Sequence, residues 1–222
     1  MAYVVLAPEA IRGVYDTWPE CEAAVRGVRG AVYRKAADRA LAERLLRGDG
    51  RKLEAGTYAF IDGNAAGGIG IVYVERGVDG STRVDEISTT VARVAPGLDL
   101  HLPRLRNPLA ELAALLHVVF GAPEGTAIRV IHDYEGTGAW MEGRWRTKNP
   151  VIAQVAADCR EVVRRRGLTV TFERTDGHQS ARGGDEYAEF NARADRLAAR
   201  AICRPVRGPS GHSACTTGEA MV

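Results

Sequence analysis

Four acidic residues stand where a fold can hold carboxylates rigidly. Asp62 ends an apolar segment, YAFID, and is followed by the small residues of GNAAGG. Asp133 ends a second apolar segment, IRVIHD. Glu111 lies in the first turn of the helix that begins NPLAE, and Asp195 lies on a late helix with Asn191 one turn before it. In an α/β sheet, strand ends and neighbouring helix starts converge at one edge, where sites form. Four carboxylates drawn together repel and raise one another's pKa. Hard divalent cations with oxygen ligands remove that penalty, and magnesium takes few carboxylates per ion, so two ions sharing four acids is a reasonable count. Two ions about 4 Å apart suit phosphodiester cleavage, one activating water and the other stabilising the leaving oxygen.

Spacing alone leaves other readings open. A strand-end aspartate is commonly a turn or cap residue. A glutamate in a helix's first turn complements the helix dipole, and Asp195 alone reads as a solvated helix acid. Asp85 and Glu135 read as surface charges. Of two basic clusters, Arg164 to Arg166 close a helix and read as dipole partners. The other, GRWRTK over 143–148, places Arg146 and Lys148 after the Asp133 strand, where they are candidates for nucleic-acid phosphates.

The elements around these residues fall into two parts. Residues 1–47 read as strand (AYVVLA), strand (RGVYDTW), helix (PECEAAVRGV), strand (AVYRKA) and helix (ADRALAERLLRG). Pro19 and the acids after it mark the first helix start, and Gly48 closes the second. Residues 48–56 form a short polar connector. Strands follow at 57–62, 69–76 and 82–92, then a bent connection over 93–106. After that come a helix over 107–121, a strand ending at Asp133, an amphipathic helix over 149–167, a strand LTVTFER and a closing helix EYAEFNARADRLAARAI. Three strands on short turns predict an antiparallel part. The later alternation of helix and strand predicts parallel additions. Residues 204–222, rich in Gly, Ser, Thr and Pro, read as a mobile tail.

The chain has 222 residues, with 45% hydrophobic and 26% charged residues, an ordinary composition for a soluble protein. No apolar run approaches a transmembrane span. The N-terminus lacks the basic lead and apolar stretch of a signal peptide. The cysteines Cys21, Cys159, Cys203 and Cys215 form no CxxC pair, so a zinc site is not expected, and reduced thiols in a cytoplasmic protein are. A net charge of +2 neither demands nor excludes a nucleic-acid partner.

The wording around the acids resembles a known family. FIDGNAAGGIGIVYV resembles the opening strand pair of ribonuclease H, and NPLAELAALLHVV its glutamate-bearing helix. IRVIHDYEGTGAWMEGRWRTKNP resembles the strand with the third acid and the segment after it. DGHQS and NARADRLAARA resemble the mobile-loop histidine and the closing helix. The matches fall in the family's order across 57–202. The resemblance implies that Asp62, Glu111, Asp133 and Asp195 hold two magnesium or manganese ions. It implies that His178 assists product release or proton movement, and that Asn64 and Asn107 lie near the minor-groove side of the RNA strand. GVYDTWPECEAAVRGVRGAVYRKA resembles the hybrid-binding domain that precedes many ribonuclease H domains. Tyr3, Trp18 and Tyr33 then match aromatics that lie against the DNA strand, and Arg34 and Lys35 the basic pair near its phosphates. Flat aromatics pack on deoxyribose but meet the extra 2′-hydroxyl of RNA.

The expected protein is therefore an α/β one. A small ββαβα hybrid-binding domain (1–47) and a linker (48–56) precede a ribonuclease H-like mixed five-stranded sheet flanked by helices (57–203), with a tail over 204–222. The expected activity is metal-dependent cleavage of the RNA strand of RNA–DNA hybrids by a monomer. A nucleic-acid-binding protein with an inactive or redirected site is the alternative. The chain departs from the family in places. His178 and Asp195 lie 17 positions apart, longer than usual. Region 79–106 is hard to align. Ala36 stands where an aromatic is usual, the first loop is LAPEAI rather than basic, and residues 1–50 hold eight basic and seven acidic side chains, so electrostatic attraction there is weak.

Overall fold

The computed structural model describes residues 1–175 and 184–202, and the backbone of 205–207 and 213–215. It divides into two compact units. One comprises Met1–Glu54 with Asp176–Ala192, the other Ala55–Thr175 with Arg193–Val222.

The first unit contains β1 (Ala2–Ala7), β2 (Gly13–Tyr15), α1 (Trp18–Val25), β3 (Val32–Ala36) and α2 (Arg39–Leu46), the predicted order. The three strands form an antiparallel sheet in the order β2-β1-β3. Helix α1 starts where Thr17 and Glu20 bond each other's backbone N–H groups as a capping box. Asp38 caps α2 through the N–H of Leu41 at 2.7 Å. Ala2, Val4, Ala36, Ala42 and Leu45 form the small core.

The second unit is built on five strands: β4 (Gly56–Gly63), β5 (Gly68–Arg76), β6 (Thr82–Thr90), β7 (Ala127–His132) and β8 (Thr169–Arg174). Their order is β6-β5-β4-β7-β8. The β4/β5 and β5/β6 pairs are antiparallel, and the β4/β7 and β7/β8 pairs are parallel. This is the mixed sheet the sequence predicts. Its helices are α3 (Val91–Val94), α4 (Leu102–Gly121), α5 (Glu135–Met141), α6 (Pro150–Arg165) and α7 (Glu186–Ile202), the last beginning in the first unit. Alternate residues of β4 and β5, among them Ile61, Ile69 and Ile71, pack with Leu109, Leu112, Leu115 and Val118 of α4 and with Ile152 and Val155 of α6.

Three segments differ from the sequence reading. Residues 93–106, expected as a bent connection, hold the end of α3, a 3-10 turn at Leu98–His101 and the first turn of α4. A kink at Arg106 (φ 45°, ψ −133°) interrupts that helix just before Pro108, whose ring cannot continue the preceding turn. Helix α5 was not predicted, because Gly136 and Gly138 erase its helical pattern. Gly138 is required there: a Cβ would stand 2.9 Å from the His132 ring and 3.0 Å from Phe172. Within the expected tail, Pro205–Arg207 and Ser213–Cys215 pair as an antiparallel ladder.

Candidate active site

The ends of β4 and β7 lie side by side because Phe60 pairs with Ile131 in parallel register. Asp62 and Asp133 follow two residues further along each strand. Helix α4 brings the third acid. Gly63 permits this, because a Cβ there would come within 2.5 Å of the Ala110 carbonyl carbon and the Glu111 nitrogen. The glycine after Asp62 thus serves the approach of a helix backbone. As a result, Asp62, Glu111 and Asp133 each offer a carboxylate oxygen within 4.8 Å of the other two.

The cluster brings carboxylates of like charge together. Glu111 is 1% exposed. Burial first, then its hydrogen bond with Asp133 and that residue's charge, push the Glu111 carboxyl well above the usual carboxylate range, and the Asp62 charge adds to this. One contact acts the other way: Thr137 Oγ1 donates to Glu111 Oε2 at 2.9 Å from a fully buried position on α5. Beside the cluster, His132 Nδ1 donates to the Tyr134 carbonyl at 3.0 Å, and burial lowers the histidine's pKa. The set is all oxygen, with one member deeply buried. That is donor chemistry suited to a hard divalent cation such as magnesium, manganese or calcium. A bound cation would let Glu111 ionise in place, so the residues present fit the expected ions.

The other predicted residues are placed as follows. Asp195 lies half-buried on α7 and is outside the three-acid group. His178 lies outside the described residues. Asn107 is exposed on α4, and Arg146 and Lys148 are exposed after α5. Arg146 shares a surface cleft with Trp140, Trp145 and Arg160. Asn64 is committed to the fold: its Oδ1 accepts from the N–H groups of Ala66 and Gly68, at 3.1 and 3.0 Å, and its Nδ2 donates to the Ala198 carbonyl at 2.9 Å.

In the first unit, Tyr3, Trp18 and Tyr33 form one aromatic array, with Trp18 5.5 Å from Tyr3 and 5.6 Å from Tyr33 between ring centroids. Trp18 and Tyr33 are 37% and 45% exposed. Lys35 is exposed and stands opposite Tyr3 across the β1/β3 pair. Arg34 points the other way. Its side chain is 3% exposed and bonds Asp185 at 3.0 Å, so its guanidinium faces inward rather than toward a phosphate. Arg51 adds a second contact to the same Asp185 oxygen at 3.4 Å.

Residues 1–45 match the family model for the ribonuclease H1 N-terminal domain. Among solved structures, the chain is similar to ribonuclease H1 from the halophilic archaeon Halobacterium salinarum, at 21% identity over 66% of this chain and 96% of that one, with a TM-score of 0.46. LC11-RNase H1, isolated from compost by a metagenomic approach, matches at 23% identity over 67% and 96%, with a TM-score of 0.42. The N-terminal RNase H domain of a Mycobacterium tuberculosis protein matches at 19% over 66% and 94%, with a TM-score of 0.41. No curated protein matches. The resemblance stated from sequence stands. The segment that matches the family model carries the predicted aromatics, and the second unit has the expected mixed five-stranded sheet.

Three functional partners were not legible in the sequence. Thr137 sits in the unpredicted helix α5. Arg51 lies in a connector read only as polar. Asp185, which fixes Arg34, is separated from it by 151 positions. The one available sign for Asp185 was local, an aspartate placed just before a helix, where it caps Ala188. No helix among the described residues is long and apolar enough to cross a membrane.

Proposed function

We propose that this chain is an endoribonuclease that cuts the RNA strand of RNA–DNA hybrids and depends on two divalent ions, magnesium or manganese. One observation carries the reading: Asp62, Glu111 and Asp133 converge in an all-oxygen cluster, in a chain whose residues 1–45 match the ribonuclease H1 N-terminal domain. Those three acids, with Asp195 of α7, are assigned as the ligands. When bound there, the ions supply water activation and charge stabilisation at the leaving oxygen.

The chain's own residues do the rest. The paired ends of β4 and β7 hold two carboxylates on rigid backbone, and Thr137 fixes the rotamer of the third. Asn107 is assigned to the RNA strand, and Arg146 and Lys148 to phosphates of the DNA strand. His178 is assigned to proton movement or product release. Tyr3, Trp18 and Tyr33 offer flat faces to deoxyribose, and Lys35 a charge to its phosphates. Residues 1–47 then act as a hybrid-binding domain joined through 48–56 to a nuclease domain over 57–203. A second contact on the same hybrid raises affinity through effective concentration. The protein acts as a cytoplasmic monomer.

The test uses an end-labelled RNA–DNA duplex beside matched RNA and DNA duplexes, with magnesium, manganese or chelator. Metal-dependent cleavage confined to the RNA of the hybrid is expected. Because Asp195 lies outside the three-acid group, a second reading is a binding protein with an inactive site. Tight hybrid binding without cleavage in either metal would select it.

A further inference from the structure

The turn after Asp62 and the helix carrying Asp195 are joined by contacts that involve none of the three clustered acids. Asp62 and Gly70 are direct partners across β4 and β5, so they face the same side of the sheet. Gly70 has no side chain there, and the space is filled by α7: a Cβ at Gly70 would overlap the carbonyl oxygen of Ala194. One helical turn on, a Cβ at Gly68 would overlap the carbonyl of Ala198. The α7 backbone therefore lies directly on β5, and the residue after Ala194 is Asp195.

Close approach alone would let the helix slide along a glycine-lined strand. Asn64 removes that freedom. Its Oδ1 is fixed by the Ala66 and Gly68 N–H groups of the turn, which orients Nδ2 toward the Ala198 carbonyl at 2.9 Å. Ser88 Oγ donates to the neighbouring Leu197 carbonyl at 2.8 Å, and Arg193 bonds Glu86 at 2.7 Å. These bonds pin α7 both along and around its axis.

We infer that Asn64 is a positioning residue: it sets the register of α7 against β5 and so the placement of Asp195 relative to Asp62, and it is not an RNA contact. The effect on metal binding rests on the nuclease reading above, whereas the register effect does not. Asn64→Asp separates the two halves of the side chain's role. The carboxylate still accepts from Ala66 and Gly68 but cannot donate to Ala198.

The test has three measurements on the full chain. In metal-free protein, amide hydrogen exchange over 195–202 rises several-fold in N64D, while exchange over 109–119 is unchanged. In Mn2+ titration calorimetry, the affinity falls about tenfold, the scale for losing a group that orients a ligand. In chelator, hybrid affinity is unchanged, and Ser88→Ala shows the same pattern more weakly. Unchanged exchange over 195–202 overturns the inference. So does a loss of hybrid affinity at unchanged Mn2+ affinity, which would place Asn64 on the nucleic acid. If the wild type takes up no Mn2+ and cuts nothing, the nuclease reading fails, and the exchange result alone decides the role of Asn64.

Discussion

Each unit of this chain buries a cluster of charge, and the two are built on opposite terms. In the second unit, Asp62, Glu111 and Asp133 bring like charges within 4.8 Å, and the Thr137 hydroxyl donates to Glu111. In the first unit, the Asp185 carboxylate is buried against the Arg34 guanidinium at 3.0 Å, has Arg51 at 3.4 Å, and accepts the Ala188 N–H at 3.2 Å. In the first unit, opposite charges and hydrogen bonds are matched. In the second unit, carboxylates face carboxylates. Burial of charge therefore does not mark a site by itself. The sign of the neighbours does.

Removing an acid from each cluster should have opposite consequences. If the chain cuts hybrids as proposed, Asp62→Asn or Asp133→Asn should lower that cleavage by on the order of 10⁴-fold, the scale for deleting one member of a catalytic set. It should leave the thermal midpoint in chelator unchanged or higher, since one repulsive charge is gone. Steady-state cleavage and calorimetry read both. Asp185→Ala should do the reverse. It removes the carboxylate that the buried Arg34 guanidinium bonds, and urea unfolding should show a loss of about 3–5 kcal/mol. Replacing the pair together, Arg34→Met with Asp185→Leu, should recover most of it. Equal destabilisation by D62N and D185A would end the distinction.

The difference also explains what could be read from the sequence. Asp62 and Asp133 were legible because apolar strand patterns stop at them, and strand ends of a mixed sheet gather at one edge. Glu111 was legible from the proline-led helix start. The mixed sheet itself followed from three short-turned strands and a later helix–strand alternation. What was not legible depends on pairing between distant positions. Nothing local to Arg34 says that its partner lies 151 positions on. The basic pair was therefore read as two phosphate contacts, when one member faces inward. The hydrogen bond from Asn64 to the Ala198 carbonyl was equally illegible, because a backbone atom leaves no trace in side-chain pattern. Helix α5 was hidden by glycines that its packing requires.

The like-charge cluster should also respond to pH in a defined direction. Glu111 has a raised carboxyl pKa in the folded chain, caused mainly by burial and then by Asp133. Its contribution to stability is therefore fully present below the ordinary glutamate range of about 4.3 and is lost as pH rises through the raised value. In chelator, the thermal midpoint of the wild type should fall over that window by more than that of Glu111→Gln, in which the amide oxygen can still accept from Thr137. Magnesium should restore the wild type at neutral pH and leave E111Q largely unmoved. A wild-type pH profile in chelator that overlays that of E111Q would show that the carboxyl carries no such penalty.

The smallest effect separates two adjacent basic residues. Arg34 and Lys35 lie on β3, where successive side chains point to opposite faces. Arg34 faces Asp185, whereas Lys35 is exposed opposite Tyr3, on the side of the aromatic array. If Lys35 meets a phosphate of the hybrid, Lys35→Ala should weaken binding uniformly across sequences. It should also lower the slope of log K against log salt by about 0.9. Arg34→Met should leave that slope unchanged when binding is measured at a temperature where the variant is folded, because its charge is already spent inside the unit. Fluorescence anisotropy over a salt series, in chelator to prevent cleavage, reads both slopes. A slope change for R34M equal to that for K35A would mean that the Arg34–Asp185 pair opens when hybrid binds.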